Sequence, residues 1–130
     1  MRMNHERDQG LVRLRPSLPI ETGQQTDIER FQSETLRPVL KLQNPLILRI
    51  FRGYLQQTKA HLGQLSAEQR QAFIFNALAK DPALKHLLTG AVIGLLTDEE
   101  LAFYEQHRAE LARRLGQFLG KRIADQWESL

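Results

Sequence analysis

The sequence predicts an all-α protein, and three observations carry the prediction. Apolar residues recur at spacings of three and four from Ile28 onward, helix-capping signatures punctuate the chain, and no stretch alternates in polarity as a strand does. The expected architecture is a compact four- or five-helix bundle over residues 26–130, forming a single helical domain, with a flexible N-terminal tail over residues 1–25.

The tail is predicted from Gly10, Pro16, Pro19 and Gly23 and from its few large apolar side chains, too few to offset the entropy of ordering. Leu11, Val12, Leu14, Leu18 and Ile20 leave room for a short extended segment docked on the domain or on a neighbouring subunit. A first helix begins at Asp27, where Thr26 or Asp27 can accept hydrogen bonds from free amides and Glu29 suits the positive end of the dipole. Residues 37–54, RPVLKLQNPLILRIFRGY, form the densest apolar segment. Pro38 and Pro45 each remove a backbone donor and crowd the carbonyl four residues earlier, which predicts a bend or break near Asn44. Asn44 then caps a second segment with Pro45 at its first position, and Gly63 closes it.

Ser66 and Gln69 form a capping box for a helix over 67–80, which ends at Asp81-Pro82, a cap and first residue for the next. That next helix, 82 to about 95, is apolar over most of its circumference and is expected to be the most buried element. Gly90 and Gly94 lie one turn apart on it, a spacing that allows close backbone approach in a bundle. Thr97 to Glu100 form another capping box, and one final helix follows, with Lys121 and Arg122 near its negative end. The expected core is Phe31, Val39, Leu42, Leu46, Ile50, Phe73, Leu84, Leu88, Val92, Leu95, Leu101, Leu111, Leu115 and Phe118.

At 130 residues the chain fits one domain, and its 42% hydrophobic and 25% charged content is that of a globular protein. The absence of cysteine excludes disulfides, a thiolate nucleophile and cysteine-ligated metal centres, and it suits the cytoplasm. The charged N-terminus lacks the apolar run of a signal peptide, and the run Leu87–Leu96 is about half of the roughly 20 residues that cross a bilayer, so no membrane association is expected. The net charge of +3 is unevenly spread: residues 26–65 are cationic, whereas residues 97–130 hold seven acids against five cations.

No catalytic residues, cofactor or metal ligands emerge from the motifs. His107 and Glu110 share a helix face, but the second histidine pair and further carboxylates of a bundle metal site are missing. None of Ser17, Ser33, Ser66 and Ser129 sits in a nucleophile turn, and the pairs Glu99–Glu100 and Glu105–Glu110 fall on faces expected to be solvated. The anion-binding candidates are Arg30, Arg37, Lys41, Arg52 and Lys59, which at about 100° per residue project within an arc of roughly 60°, opposite most of the apolar set. The prolines can change the phase between the two halves, leaving Arg30, Arg37 and Lys41 as the secure part; a solvated charged face is the plainer alternative. No aromatic residues interleave with the stripe for base stacking.

Two segments, LRPVLKLQNPLILRIFRGYL at 36–55 and GAVIGLLTDEELAFY at 90–104, resemble a family of small, uncharacterised, all-helical bacterial proteins, some of whose members are labelled glyoxalase. The resemblance covers roughly residues 27–128, implies an all-helical fold and carries over no catalytic residues. The strands and the histidine and glutamate ligands of the usual metal-dependent glyoxalase have no counterpart in this sequence. The expected function is therefore a non-catalytic cytoplasmic interaction protein, self-associating or holding a protein partner through apolar surface on its outer helices. The alternatives are an anion or nucleic-acid binding module using the basic face of residues 27–60 and, disfavoured, a metal-dependent glyoxalase-like lyase.

Overall fold

A computed structural model describes residues 5–19, 23 and 25–130, and every regular element among them is helical. The helices are α1 (His5–Leu14), α2 (Asp27–Phe31), α3 (Arg37–Thr58), α4 (Ala67–Lys80), α5 (Pro82–Ile93), α6 (Asp98–Gln106) and α7 (Arg108–Asp125). Their starts follow the capping chemistry. Thr26 with Glu29, Ser66 with Gln69 and Thr97 with Glu100 all form reciprocal capping boxes, and the Asp81 carboxylate accepts from the Leu84 amide at 3.1 Å with Pro82 as first helical residue. Each cap contributes about 1 kcal/mol by satisfying amides the helix cannot.

Around the core α3 packs on α5 and α7, and α4 on α5 and α7. Leu36, Ile47, Phe51, Ile74, Leu88, Leu111 and Ile123 are fully enclosed there. Of the expected core, Phe31, Val39, Leu84, Leu88, Val92, Leu111 and Leu115 are buried, whereas Leu42, Ile50, Phe73, Leu95, Leu101 and Phe118 are half-buried and Leu46 is 42% exposed.

The displacement of Leu46 has a local cause. Between α2 and α3, Gln32–Leu36 form a π turn in which the Arg37 amide bonds to the Gln32 carbonyl five residues back. Pro38 follows directly, and the wider turn makes room ahead of its ring. One extra residue per turn moves everything beyond it by roughly 100° relative to an unbroken α-helix. Phe31 therefore aligns with Leu36, Leu40 and Ile47, and Leu46 turns out of the core.

The expected break near Asn44 does not occur: α3 runs unbroken from Arg37 to Thr58 with Pro45 inside it. Pro45 and Lys41 are both exposed, so the Lys41 carbonyl that loses its intrahelical donor lies on the face that water reaches. Asn44 is accordingly not a cap. The helix ends at Lys59, the non-glycine residue with φ of 59°, ahead of Gly63, which instead sits in the short 3-10 turn Leu62–Gln64.

Two further expectations change. The final helix is divided at His107 (φ −120°, ψ 33°), whose ring packs on Phe103 at 4.6 Å between centroids, so that α6 and α7 are separate helices. On α5, Leu87 is 57% exposed, so this helix is buried along one face only. Gly90 approaches nothing; the close backbone approach is at Gly120, on which the Phe75 ring of α4 lies. Among the described residues no helix is long and apolar enough to cross a membrane.

In place of an unstructured or extended N-terminal segment, α1 lies against the junction of α5 and α6; Ile20, part of the expected extended segment, lies outside the described residues. No α1 residue is buried, and the attachment is polar. Arg7 donates to the Leu96 and Gly94 carbonyls at 3.2 and 2.7 Å, satisfying helix-end groups, and Asp8 accepts from the Asp98 amide at 3.1 Å. Arg15, just past the helix, donates to the Leu95 carbonyl at 2.9 Å and grips both oxygens of Glu100. Glu100 is thus paired rather than solvated, and it also accepts from the Thr35 hydroxyl at 3.3 Å.

Candidate anion-binding seam

The π turn and the unbroken α3 decide where the cations go. Relative to the buried rail Leu36, Leu40, Ile47, Phe51 and Leu55, the series Arg37, Lys41, Arg52 and Lys59 is rotated by roughly 90°, beside the core rather than opposite it. It therefore borders α7. On α7 and its C-cap the i, i+4 series Phe118, Arg122, Gln126 runs next to the buried Leu115, Leu119 and Ile123 and meets α3.

Asn44 closes the two sides together. Its amide nitrogen donates to Gln126 Oε1 at 2.8 Å, while its Oδ1 accepts from Gln126 Nε2 at 2.8 Å and from Arg122 at 3.0 Å. Further along, Arg52 donates to the Ser129 carbonyl at 3.1 Å. Burial lowers the Arg122 pKa, yet a guanidinium stays charged at any ordinary pH. Its contact is with a neutral amide, so its charge is held in place without being neutralised.

Two concavities open along this seam. The upper, about 440 Å³, has Leu40 and Phe118 as apolar lining and Arg37, Lys121 and Arg122 as cations, against the one acid Asp125. Asp125 lies 3.9 Å from Lys121, an exposed pair that offsets part of this positive charge and leaves Arg37 and Arg122 without a carboxylate partner among the described residues. The lower, about 780 Å³, is bordered by Arg52, Lys59, His61 and Trp127, with Glu128 as its acid. The Arg70 guanidinium lies 3.8 Å from the centroid of the Trp127 ring and fixes its plane. Among the described residues Arg37, Arg52 and Arg122 form no ion pair with a carboxylate.

The five candidate cations are thus distributed. Arg37 borders the upper concavity, Arg52 and Lys59 border the lower, and Lys41 is exposed on α3 one turn beyond Arg37. Arg30 is not with them. It precedes the π turn, lies 4.0 Å from Asp27 and borders a separate hollow with Glu34, Glu99 and Glu100. Lys121, Arg122, Phe118 and Trp127 join the seam from residues whose spacing suggested dipole compensation or core packing. The available signal was the four-residue repeat Phe118, Arg122, Gln126 beside the apolar rail.

Other candidates resolve into structural contacts. His107 packs at a tilt against Phe103, and Glu110 accepts from Arg114 and Arg113 at 2.7 and 3.0 Å, bonds that hold its carboxyl below the ordinary carboxylate range. Ser33 is buried in the π turn. Among the described residues no three histidine, aspartate or glutamate side chains gather as a metal ion requires. Compared with protein-family models, curated proteins and solved structures, the chain matches none.

Proposed function

We propose that this protein is a non-catalytic cytoplasmic binding protein, a compact helical bundle that holds an extended polyanion along the α3–α7 seam. The observation that supports it is the gathering of Arg37, Lys121 and Arg122 in one concavity, from two helices far apart in sequence, with a single acid among them. Arg52 and Lys59 continue the positive border along the same helix. Cations clustered in a recess act together on a polymer of negative charge, and each contact releases a counterion. The absence of cysteine supports the cytoplasmic placement. Heparin titrated into the protein at low salt tests the reading: saturable binding that weakens steeply as salt rises is expected, and no binding at about 10⁻⁴ M, the weak limit of ordinary polyanion affinities, removes it.

A second reading, self-association, is favoured by a different surface. Leu46 on α3 and Leu87 on the adjoining α5 are 42% and 57% exposed. Sedimentation velocity over micromolar concentrations should then show a reversible dimer that Leu46→Glu with Leu87→Glu dissolves, whereas a monomer throughout excludes it.

A further inference from the structure

We infer that the seam takes single-stranded nucleic acid, with bases stacked on the Phe118 and Trp127 rings and phosphates on the cations beside each ring. The inference rests on the polyanion reading and adds to it the chemistry of the polymer. In both concavities a ring accompanies the cations: Phe118 with Arg37, Lys121 and Arg122, and Trp127 with Arg52 and Lys59. A polyphosphate has no use for a ring, whereas an unpaired base stacks on it whatever its identity.

Spacing agrees with this assignment. Arg37 and Arg52 are on one unbroken helix, separated by about 22 Å at 1.5 Å per residue. One nucleotide does not bridge that distance, but a short strand near the lower end of the roughly 4 to 16 nucleotides of known single-strand sites does. Duplex DNA offers its bases only at groove edges, which a projecting helix or ribbon must enter. Here both rings line recesses beside α3 rather than projecting into a groove, with one face of Trp127 held by the Arg70 guanidinium, so a base would stack on the other face.

Trp127 is the one tryptophan of the chain, so its fluorescence reports on the lower concavity directly. The test titrates the full chain at low salt with an oligothymidine of about 12 nucleotides, with the same strand annealed to its complement, and with heparin. The single strand is expected to quench Trp127 and to bind about tenfold or more tighter than the duplex. Phe118→Ala should weaken the single strand by about 5- to 150-fold, the value of one stacked base, and by clearly more than it weakens heparin. Phe118→Leu, which keeps the apolar contact and removes the π face, serves if the alanine variant does not fold. Equal affinity for strand and duplex, or a leucine variant that weakens strand and heparin alike, overturns the inference while the polyanion reading stands. Failure of heparin and both oligonucleotides removes the two together.

Discussion

Replacing Gly120 with alanine lowers stability, although alanine is the better helix former. A Cβ at Gly120 would lie 2.7 Å from Cζ and 2.8 Å from Cδ1 of Phe75, where ordinary contact begins near 3.4 Å. A phenyl ring cannot move aside as a flexible chain end does, so α4 and α7 must separate. Such overpacking costs about 1–3 kcal/mol, against a gain of about 0.8–1.0 kcal/mol from helix propensity. Gly116, one turn earlier on α7, has nothing within 4 Å of its Cβ position, and alanine there should raise stability by about 0.4–1 kcal/mol. Urea unfolding of the two variants is expected to give midpoints shifted in opposite directions. Phe75→Leu in the Gly120→Ala chain should recover part of the loss; strict additivity of the two changes would show that the rings and helices do not meet as described.

Exchanging Glu100 for glutamine releases α1. Glutamine still closes the Thr97 capping box, so what is lost is the charge opposite Arg15. The Arg15 side chain is 10% exposed and that of Glu100 19%, and removing one partner from so buried a pair costs about 3–5 kcal/mol if the other stays buried. Arg15 need not stay. Since α1 buries no residue and Arg15 Nε is already enclosed without a partner, the arginine leaves with its helix, and the loss is limited to the free energy of docking. Hydrogen exchange should show the amides of residues 5–14 losing protection while those of α3 and α7 keep theirs; unchanged protection in α1 would contradict this.

Acid should have the same effect. Burial works against charge on Glu100, but hydrogen bonds from Arg15, the Thr97 amide and the Thr97 hydroxyl outweigh it and hold the carboxyl below its ordinary range. Its folded pKa is depressed, so the pair contributes fully above the unfolded value of about 4.3 and is lost as pH falls through the lower folded value.

Much of the fold was legible because capping is local chemistry. Thr26, Ser66, Asp81 and Thr97 begin helices for reasons contained within four residues. The π turn was not legible, because Pro38 fixes only that a donor is missing; whether the chain breaks or widens depends on what packs around Phe31 and Leu36. That single turn rotated Leu46 out of the core and separated Arg30 from Arg37. Gly120 was likewise silent, its role set by Phe75 on another helix, whereas the Gly90 and Gly94 spacing signalled an approach that does not exist. Of the candidate site, Arg37, Arg52 and Lys59 were visible as a stripe on α3. Lys121, Arg122 and Trp127 required the tertiary pairing of Asn44 with Gln126 to become its neighbours.

The α3–α7 seam as a polyanion site is tested most directly by measuring heparin affinity against salt for the wild-type chain, for Arg37→Ala with Lys121→Ala, and for Lys80→Ala with Lys85→Ala, exposed residues away from the seam. The seam predicts that log K falls linearly with log salt, that the Arg37 and Lys121 pair of changes lowers affinity and makes the slope shallower, and that the Lys80 and Lys85 pair changes neither. Equal losses and equal slopes in the two double variants would contradict it, showing attraction by net charge without a site.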